Sequence, residues 1–259
     1  MDFTDIRYEE RGEAAWITID RPKVYNAVST HTARELAAAL ETADRAPVAS
    51  VVLAGAGEKA FCTGGDLAEM KTFDTAAKRR AFLQAFAGVV KVIRAVGKPV
   101  IARVDGFCLG GGNEINVACD LTVASDRATF GQVGPTVGSA PVIGATQLLP
   151  RMVGERRARE VVFLCKRYSA AEAAAMGWVN RVVPAAELDG AVGEWTARLA
   201  ELSPQSLRLC KLSLNHGGPP DESIDDGVEA LVAAFGTAEF AEGVAAFAEK
   251  RKPDFRRFR

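Results

Sequence analysis

The segment Gly106-Phe107-Cys108-Leu109-Gly110-Gly111-Gly112-Asn113-Glu114-Ile115 sets three consecutive glycines just ahead of a carboxylate. The apolar run Pro99-Val100-Ile101-Ala102-Arg103-Val104 before it reads as a strand, and a helix is expected after it. Glycine lets the backbone come close to a ligand, and free N–H groups at a helix start attract negative charge. Such a turn can hold an oxyanion, with Glu114 beside it to move a proton. Phe61-Cys62-Thr63-Gly64-Gly65-Asp66 forms a second strand-to-glycine turn. Neither turn has the spacing of a dinucleotide fingerprint or the lysine of a P-loop, and either alone is explained by tight packing. As a pair they are informative, because an oxyanion needs donors from two directions. Loss of one such donor costs about 3–4 kcal/mol of transition-state stabilisation. The pattern points to chemistry at a carbonyl group.

Other chemistries find little support. His31 and His216 are the only histidines, and both sit in polar surroundings, so a Ser-His-Asp mechanism is disfavoured. Cys62, Cys108, Cys119, Cys165 and Cys210 are odd in number, well separated and without CxxC spacing. They read as reduced cytoplasmic thiols, with no metal site, and Cys62 and Cys108 as small core fillers. The 32 basic residues nearly balance 33 acidic ones, which opposes nucleic acid or an anionic membrane as a bulk partner. No apolar run is long enough to span a membrane, and Met1-Asp2-Phe3-Thr4-Asp5 lacks the features of an export signal. The expected location is cytoplasmic.

The positioning elements follow from hydrophobic periodicity. Ile6 to Tyr8 and Ala14 to Ile19 read as a strand pair around Arg11-Gly12, followed by a loop over 21–26. A helix is expected from Thr30, with Ala33, Leu36, Ala37 and Leu40 on one face, then a buried strand from Ala49 to Leu53. Phe82, Phe86, Val89, Ile93 and Val96 form the core stripe of a long helix from about Thr75, stopped by Gly97-Lys98-Pro99. Strand 99–104, helix 111–118 and strand 121–124 surround the Gly110-Gly111-Gly112 turn. Asp66 reads as the cap of a helix beginning near Leu67, and Asp120 as a strand-start acceptor of backbone N–H groups. Glu69 and Arg103 are left open as pocket residues. Trp16, Trp178 and Trp195 read as packing. Beyond Gly144 the chain reads as helical, near 155–164, 170–176, 187–202, 204–215, 222–235 and 238–250, with one strand at 179–183. Gly217-Gly218-Pro219-Pro220 is a loop break. The division expected is a mixed α/β core over 1–200 and a helical region over 201–259, whose apolar faces exceed what a surface layer needs and suit another subunit.

Several motifs, collinear from about Ile17 to Phe255, resemble the crotonase (enoyl-CoA hydratase/isomerase) superfamily. They are Asp20-Arg21-Pro22-Lys23-Val24-Tyr25-Asn26-Ala27, Phe61 to Asp66, Lys98 to Ala102, Gly110 to Glu114, Phe130-Gly131-Gln132 and Glu249-Lys250-Arg251-Lys252-Pro253-Asp254-Phe255. The resemblance implies a spiral of ββα units with C-terminal helices that build trimers and usually hexamers. It implies an acyl-CoA thioester substrate, with coenzyme A part of that substrate and no prosthetic group. The thioester oxygen would be held by the N–H groups of Gly65 and Gly111, with Glu114 as the acid–base residue. CoA contacts map to Lys23, Val24, Ala60, Cys62, Gly64, Asp66 and Leu67, and to Lys250 and Lys252 from a neighbouring subunit.

The resemblance also exposes a departure. Hydratases of the family use two glutamates, and the second falls where this chain has Gly134 in Phe130-Gly131-Gln132-Val133-Gly134-Pro135. This variant is similar to dihydroxynaphthoyl-CoA synthases and to hydrolases that open 2-ketocyclohexanecarboxyl-CoA or 6-oxocyclohexenecarbonyl-CoA. Pro141 stands where the first two carry an aspartate, and Gly144-Ala145 replaces their Tyr-Gly. The run from Gly138 to Thr146 resembles the oxocyclohexene enzyme, whereas Cys165-Lys166-Arg167-Tyr168-Ser169 and the C-terminal segment resemble the ketocyclohexane enzyme. Water addition to an unsaturated thioester and hydrolytic opening of a β-keto ring share an enolate intermediate, which two fixed N–H donors stabilise. Glu114, flanked by Ile115 and Val117, is expected to have a raised pKa. A non-catalytic member that binds acyl-CoA or RNA is the competing class; the balanced charge opposes RNA, and Glu114 opposes silence.

Overall fold

The computed structural model describes residues 3–215, 228, 231–233, 235 and 237–258. Met1, Asp2, His216, the break at 217–220 and most of the expected 222–235 helix lie outside the described residues. Residues 228, 231–233 and 235, which are described, are helical.

Two sheets carry the site. The larger has six strands in the order β1 (Ile6–Arg11), β2 (Ala14–Ile19), β3 (Ser50–Gly55), β5 (Val100–Val104), β7 (Leu121–Ser125) and β10 (Arg181–Val183). Only the β1–β2 hairpin is antiparallel. The smaller sheet has β4 (Ala60–Cys62), β6 (Phe107–Leu109), β8 (Thr129–Gly131) and β9 (Arg167–Ser169), the last antiparallel. The strand pairs β3–β4, β5–β6 and β7–β8 each give one strand to either sheet before the chain returns through helices. This is the spiral of ββα turns that the motifs implied.

Strands β2 and β3 are buried along their whole length, which explains their near-continuous apolar runs. One face of the large sheet packs on α1 (Thr30–Arg45) and α3 (Ala76–Ala95) through residues such as Leu36, Leu40, Val89 and Ile93. The other face, with Trp16, Val52, Ile101 and Val123, packs on α8 (Leu188–Ala200) through Leu188, Ala191 and Val192. Ser29 caps α1 by accepting from Thr32 N, and Thr75 caps α3 by accepting from Lys78 N.

Besides the helical residues 228, 231–233 and 235, the described helices that remain are α2 (Leu67–Met70), α4 (Gly111–Ala118), α5 (Ala145–Val153), α6 (Glu155–Leu164), α7 (Ala170–Ala175), α9 (Pro204–Asn215) and α10 (Ala238–Ala248). Asp120 accepts from Val100 N at 2.7 Å, as its strand-start position suggested, and also from the buried Lys211 Nζ at 2.7 Å. Lys211 further donates to the carbonyls of Ile93 and Lys98 and so fastens α9 to the end of α3. Among the described residues, no helix is long and apolar enough to cross a membrane, and no cluster of side chains could hold a metal ion.

Candidate active site

The two glycine turns meet. A Cβ built on Gly64 would lie 2.9 Å from Gly111 N, and one on Gly111 would lie 3.2 Å from Gly64 Cα. Only residues without side chains allow this approach. Gly64 adopts φ +104 and Gly110 φ +54, backbone that L side chains rarely reach.

The outer edge of the first turn is pinned to Val28, which donates to Gly64 O at 2.8 Å and accepts from Asp66 N at 2.9 Å. In a parallel bridge of this kind, the middle residue directs its own N–H away from the partner strand. The Gly65 N–H therefore faces away from Val28. Gly111 opens α4, where the helix supplies no acceptor for its N–H. Neither N–H has a backbone acceptor among the described residues. Beneath the turns lie Phe82 and Phe86 of α3 and Met70 of α2, all in contact range of a Cβ on Gly65 or Gly111. The aromatic stripe of α3 thus fills the core, as its period indicated, and also floors the turns.

Glu114 occupies the first turn of α4 and is 6% exposed. Its Oε1 accepts from Ile143 N at 2.8 Å. Burial pushes its carboxyl up to about 7, against the N–H groups of Ile143 and Ala145, which favour the charged form. Those donors belong to the start of α5, where Gly144 takes φ +126 and its Cβ position lies 3.6 Å from Glu114 Cβ. The carboxylate is legible in the sequence, but its support from the start of α5 is not. The Gly-x-x-Gln spacing was its one local signal: Gly144 N donates to Gln147 Oε1 at 3.0 Å.

No second carboxylate joins Glu114 from the expected places. Gly134 is in a short 3-10 turn (Gly134–Val137), and its Cβ position faces the Ser139–Ala140 peptide at 3.4 Å or more. Glu69 Oε2 accepts from Thr30 N at 2.8 Å, at the start of α1. Arg103 pairs with Asp189 of α8, on the opposite side of the large sheet. Asp66 is the cap its position suggested, with Oδ1 accepting from Ala68 N and Glu69 N and Oδ2 2.9 Å from Arg21. Burial raises the Asp66 carboxyl, but the Arg21 guanidinium and the Glu69 and Ala68 N–H groups hold it below its ordinary range overall.

A cleft of about 340 Å³ opens between the 22–26 loop and the 56–60 turn, with Lys23 and Ala60 on its walls. Val24 is exposed next to it, and Leu67 is exposed at the start of α2. Cys62 and Cys108 are buried thiols; burial pushes Cys62 up to about 12, so it is an inert core filler. Cys62 can therefore offer a ligand only its backbone. Within the chain, Lys252 pairs with Glu201 at 3.0 Å, and neither Lys250 nor Lys252 lines the cleft. His31 is exposed and bonded to Thr4 and Glu35. Trp178 does more than pack, donating to Asn113 Oδ1 at 3.0 Å.

Residues 9–257 match the family model described as enoyl-CoA hydratase/isomerase. The chain is similar to an enoyl-CoA hydratase from Bacillus anthracis at 31% identity and TM-score 0.93, covering 98% of this chain and 99% of that one. Subunit I of an enoyl-CoA hydratase from Geobacillus kaustophilus is 37% identical with TM-score 0.90, covering 98% of each chain. DspI of Pseudomonas aeruginosa is 30% identical with TM-score 0.92, covering 98% of this chain and 97% of that one. With its touching glycine turns and spiral of two sheets, the chain belongs to the enoyl-CoA hydratase/isomerase family, the crotonase superfamily.

Proposed function

We propose that the protein adds water to an unsaturated acyl-CoA, with the thioester oxygen held between the N–H groups of Gly65 and Gly111. The observation that carries this is the meeting of two turns whose N–H groups have no backbone acceptor among the described residues, on the unit that also bears the buried Glu114. Ionised Glu114 takes a proton from water as the oxygen adds to the β-carbon, and the double-bond electrons move to the thioester oxygen as an enolate. The two N–H donors oppose that charge where it develops. Glu114 then returns the proton to the α-carbon. A carboxyl near 7 can both accept and release a proton at neutral pH.

The cleft beside Lys23, Val24 and Ala60 would take the CoA moiety, with the backbone around Cys62, Gly64, Asp66 and Leu67 leading to the oxyanion site. Lys250 and Lys252 would reach the CoA of a neighbouring subunit in a homotrimer or a hexamer. Five unpaired cysteines suit a reducing cytoplasm.

One observation favours a second reading. Glycine replaces the second carboxylate at 134, and Asp66 and Glu69 are engaged elsewhere, so one acid–base group serves the whole cycle. The same glycine variant is the one that resembles the ring-opening hydrolases of cyclic β-keto acyl-CoA, whose reaction also runs on one such group. Water adds to the ring ketone, the carbon–carbon bond breaks towards the held enolate, and the proton taken by Glu114 goes to the α-carbon. Incubation with crotonyl-CoA and with 2-oxocyclohexanecarbonyl-CoA, products identified by mass, separates the two. Glu114→Gln should lower turnover of the accepted substrate by about 10²–10⁴ while acyl-CoA still binds. A variant near the wild-type rate removes Glu114 from the mechanism.

A further inference from the structure

Tyr25 and Asn26 are the only adjacent non-glycine residues in the left-handed region among the described residues, at φ +54 and +56. Such backbone persists where its surroundings over-determine it, and it clusters at sites that need a fixed shape. Here the determinant is the Asn26 side chain, which is fully buried. Its Oδ1 accepts from Arg21 N at 3.1 Å, at the start of its own loop. Its Nδ2 donates to Ala56 O at 3.0 Å and to Ala60 O at 2.7 Å, at the two ends of the facing turn. A Cβ on Gly55 would come within 2.7 Å of that nitrogen, so the carboxamide fills its slot.

The two segments it joins are the two walls of the 340 Å³ cleft, with Pro22, Lys23 and Tyr25 on one side and Gly57, Lys59 and Ala60 on the other. Lys23 and Lys59 are exposed and make no ion pair among the described residues. Glu58, the one acidic residue of the wall, is instead paired with Arg127 at 3.4 Å. The Tyr25 ring is half exposed and lies near Phe107, their centroids 6.4 Å apart. Two free ammonium groups beside an aromatic face suit phosphates joined to a stacked base.

We infer that Asn26 is a positioning residue for the nucleotide end of the substrate, its carboxamide fixing the separation of the walls that receive it. This rests on the acyl-CoA reading above. The residue type is dictated by the partners, which are one N–H and two carbonyls. A carboxylate at 26 would face two carbonyl oxygens with nothing to donate, and the cleft would lose its shape, whereas the Gly64–Asp66 turn has its own bridge to Val28, which the carboxamide does not touch.

The test compares one acyl group on two carriers, coenzyme A and N-acetylcysteamine, which lacks the nucleotide. The acyl group is crotonyl or 2-oxocyclohexanecarbonyl, whichever the wild type turns over. For Asn26→Asp, KM for the CoA thioester should rise about tenfold, while kcat and the truncated thioester's kcat/KM stay within about twofold of wild type. An equal loss on both carriers would show a general structural role and overturn the inference, as would no change on either. Should Asn26→Asp fail to fold, the surface variant Lys59→Glu decides by the same split, and an equal response on both carriers again overturns it. A wild type that turns over neither thioester refutes the acyl-CoA reading itself, an outcome distinct from the others.

Discussion

Glu114 sits where burial and backbone donors act in opposite directions, and its proton affinity sets both activity and stability. As a base in the first step it must be ionised, so kcat/KM is expected to rise with pH through about 7. The sign for stability is the reverse. A carboxyl raised from 4.5 to about 7 holds its proton more tightly in the folded state. The native protein then binds more protons than the unfolded chain across that window, and stability falls as pH rises through it. The full penalty, about 3 kcal/mol, is present above pH 7 and vanishes below about 4.5. Glu114→Gln should therefore unfold at higher denaturant than wild type at pH 8, with the gap closing by pH 4.5. Equal midpoints at both pH values would show that Glu114 carries no such burden. The glycine triplet and the carboxylate could be read locally, because their spacing lies within one turn. Ile143 and Ala145 could not, since their N–H groups reach Glu114 only through the return of α5 across the site.

The glycine turns show how elements rather than side chains hold the two N–H groups. A Cβ on Gly112 would lie 2.0 Å from Cys62 O, a backbone atom that cannot yield without moving β4 away from α4. Gly112→Ala is expected to destabilise the fold by about 3 kcal/mol or more, seen as a fall in denaturation midpoint. A Cβ on Gly65 meets Met70 Cε and Phe82 Cζ, ends of side chains that can shift. Gly65→Ala should remain folded with a smaller loss of stability, about 1 kcal/mol, and lose turnover through displacement of its N–H. Comparable stability losses in the two variants would contradict this ordering. The long helices and buried strands could be read from periodicity; α3, α6 and α9 fall close to their expected limits, and α1 begins where expected. The strands β6, β8 and β9 could not, because three residues cannot display a period and each is defined by its partner across the small sheet. Lys211 was invisible for a similar reason. It looks like a surface lysine on α9, yet the fold buries it against Asp120 and two carbonyls.

The whole molecule leaves an apolar surface on its helical C-terminal part. Leu231, Val232, Phe235, Phe240 and Val244 are each 40% or more exposed, and the Phe235 and Phe240 rings stack at 4.4 Å. Four of them share one groove with Phe255, so they form a continuous patch rather than scattered side chains. A monomer gains nothing by keeping such a patch wet, and burying it is worth roughly 25 cal/mol per Å². The excess of apolar positions after residue 200 points to a subunit contact as well. The proposed occupant is another copy of the chain in a trimer or a dimer of trimers. Sedimentation velocity at micromolar concentration should then show a trimer or a hexamer. Phe240→Glu with Val244→Glu places two charges in the patch, and burying them unpaired would cost several kcal/mol per contact. That variant should sediment as a folded monomer with native circular dichroism. If Lys250 and Lys252 act on a neighbour's CoA, the monomer should also lose affinity for acyl-CoA while keeping turnover of a truncated thioester. A wild type that sediments as a monomer, or a double variant that still assembles, would move the contact elsewhere and leave this face without a partner of its own kind.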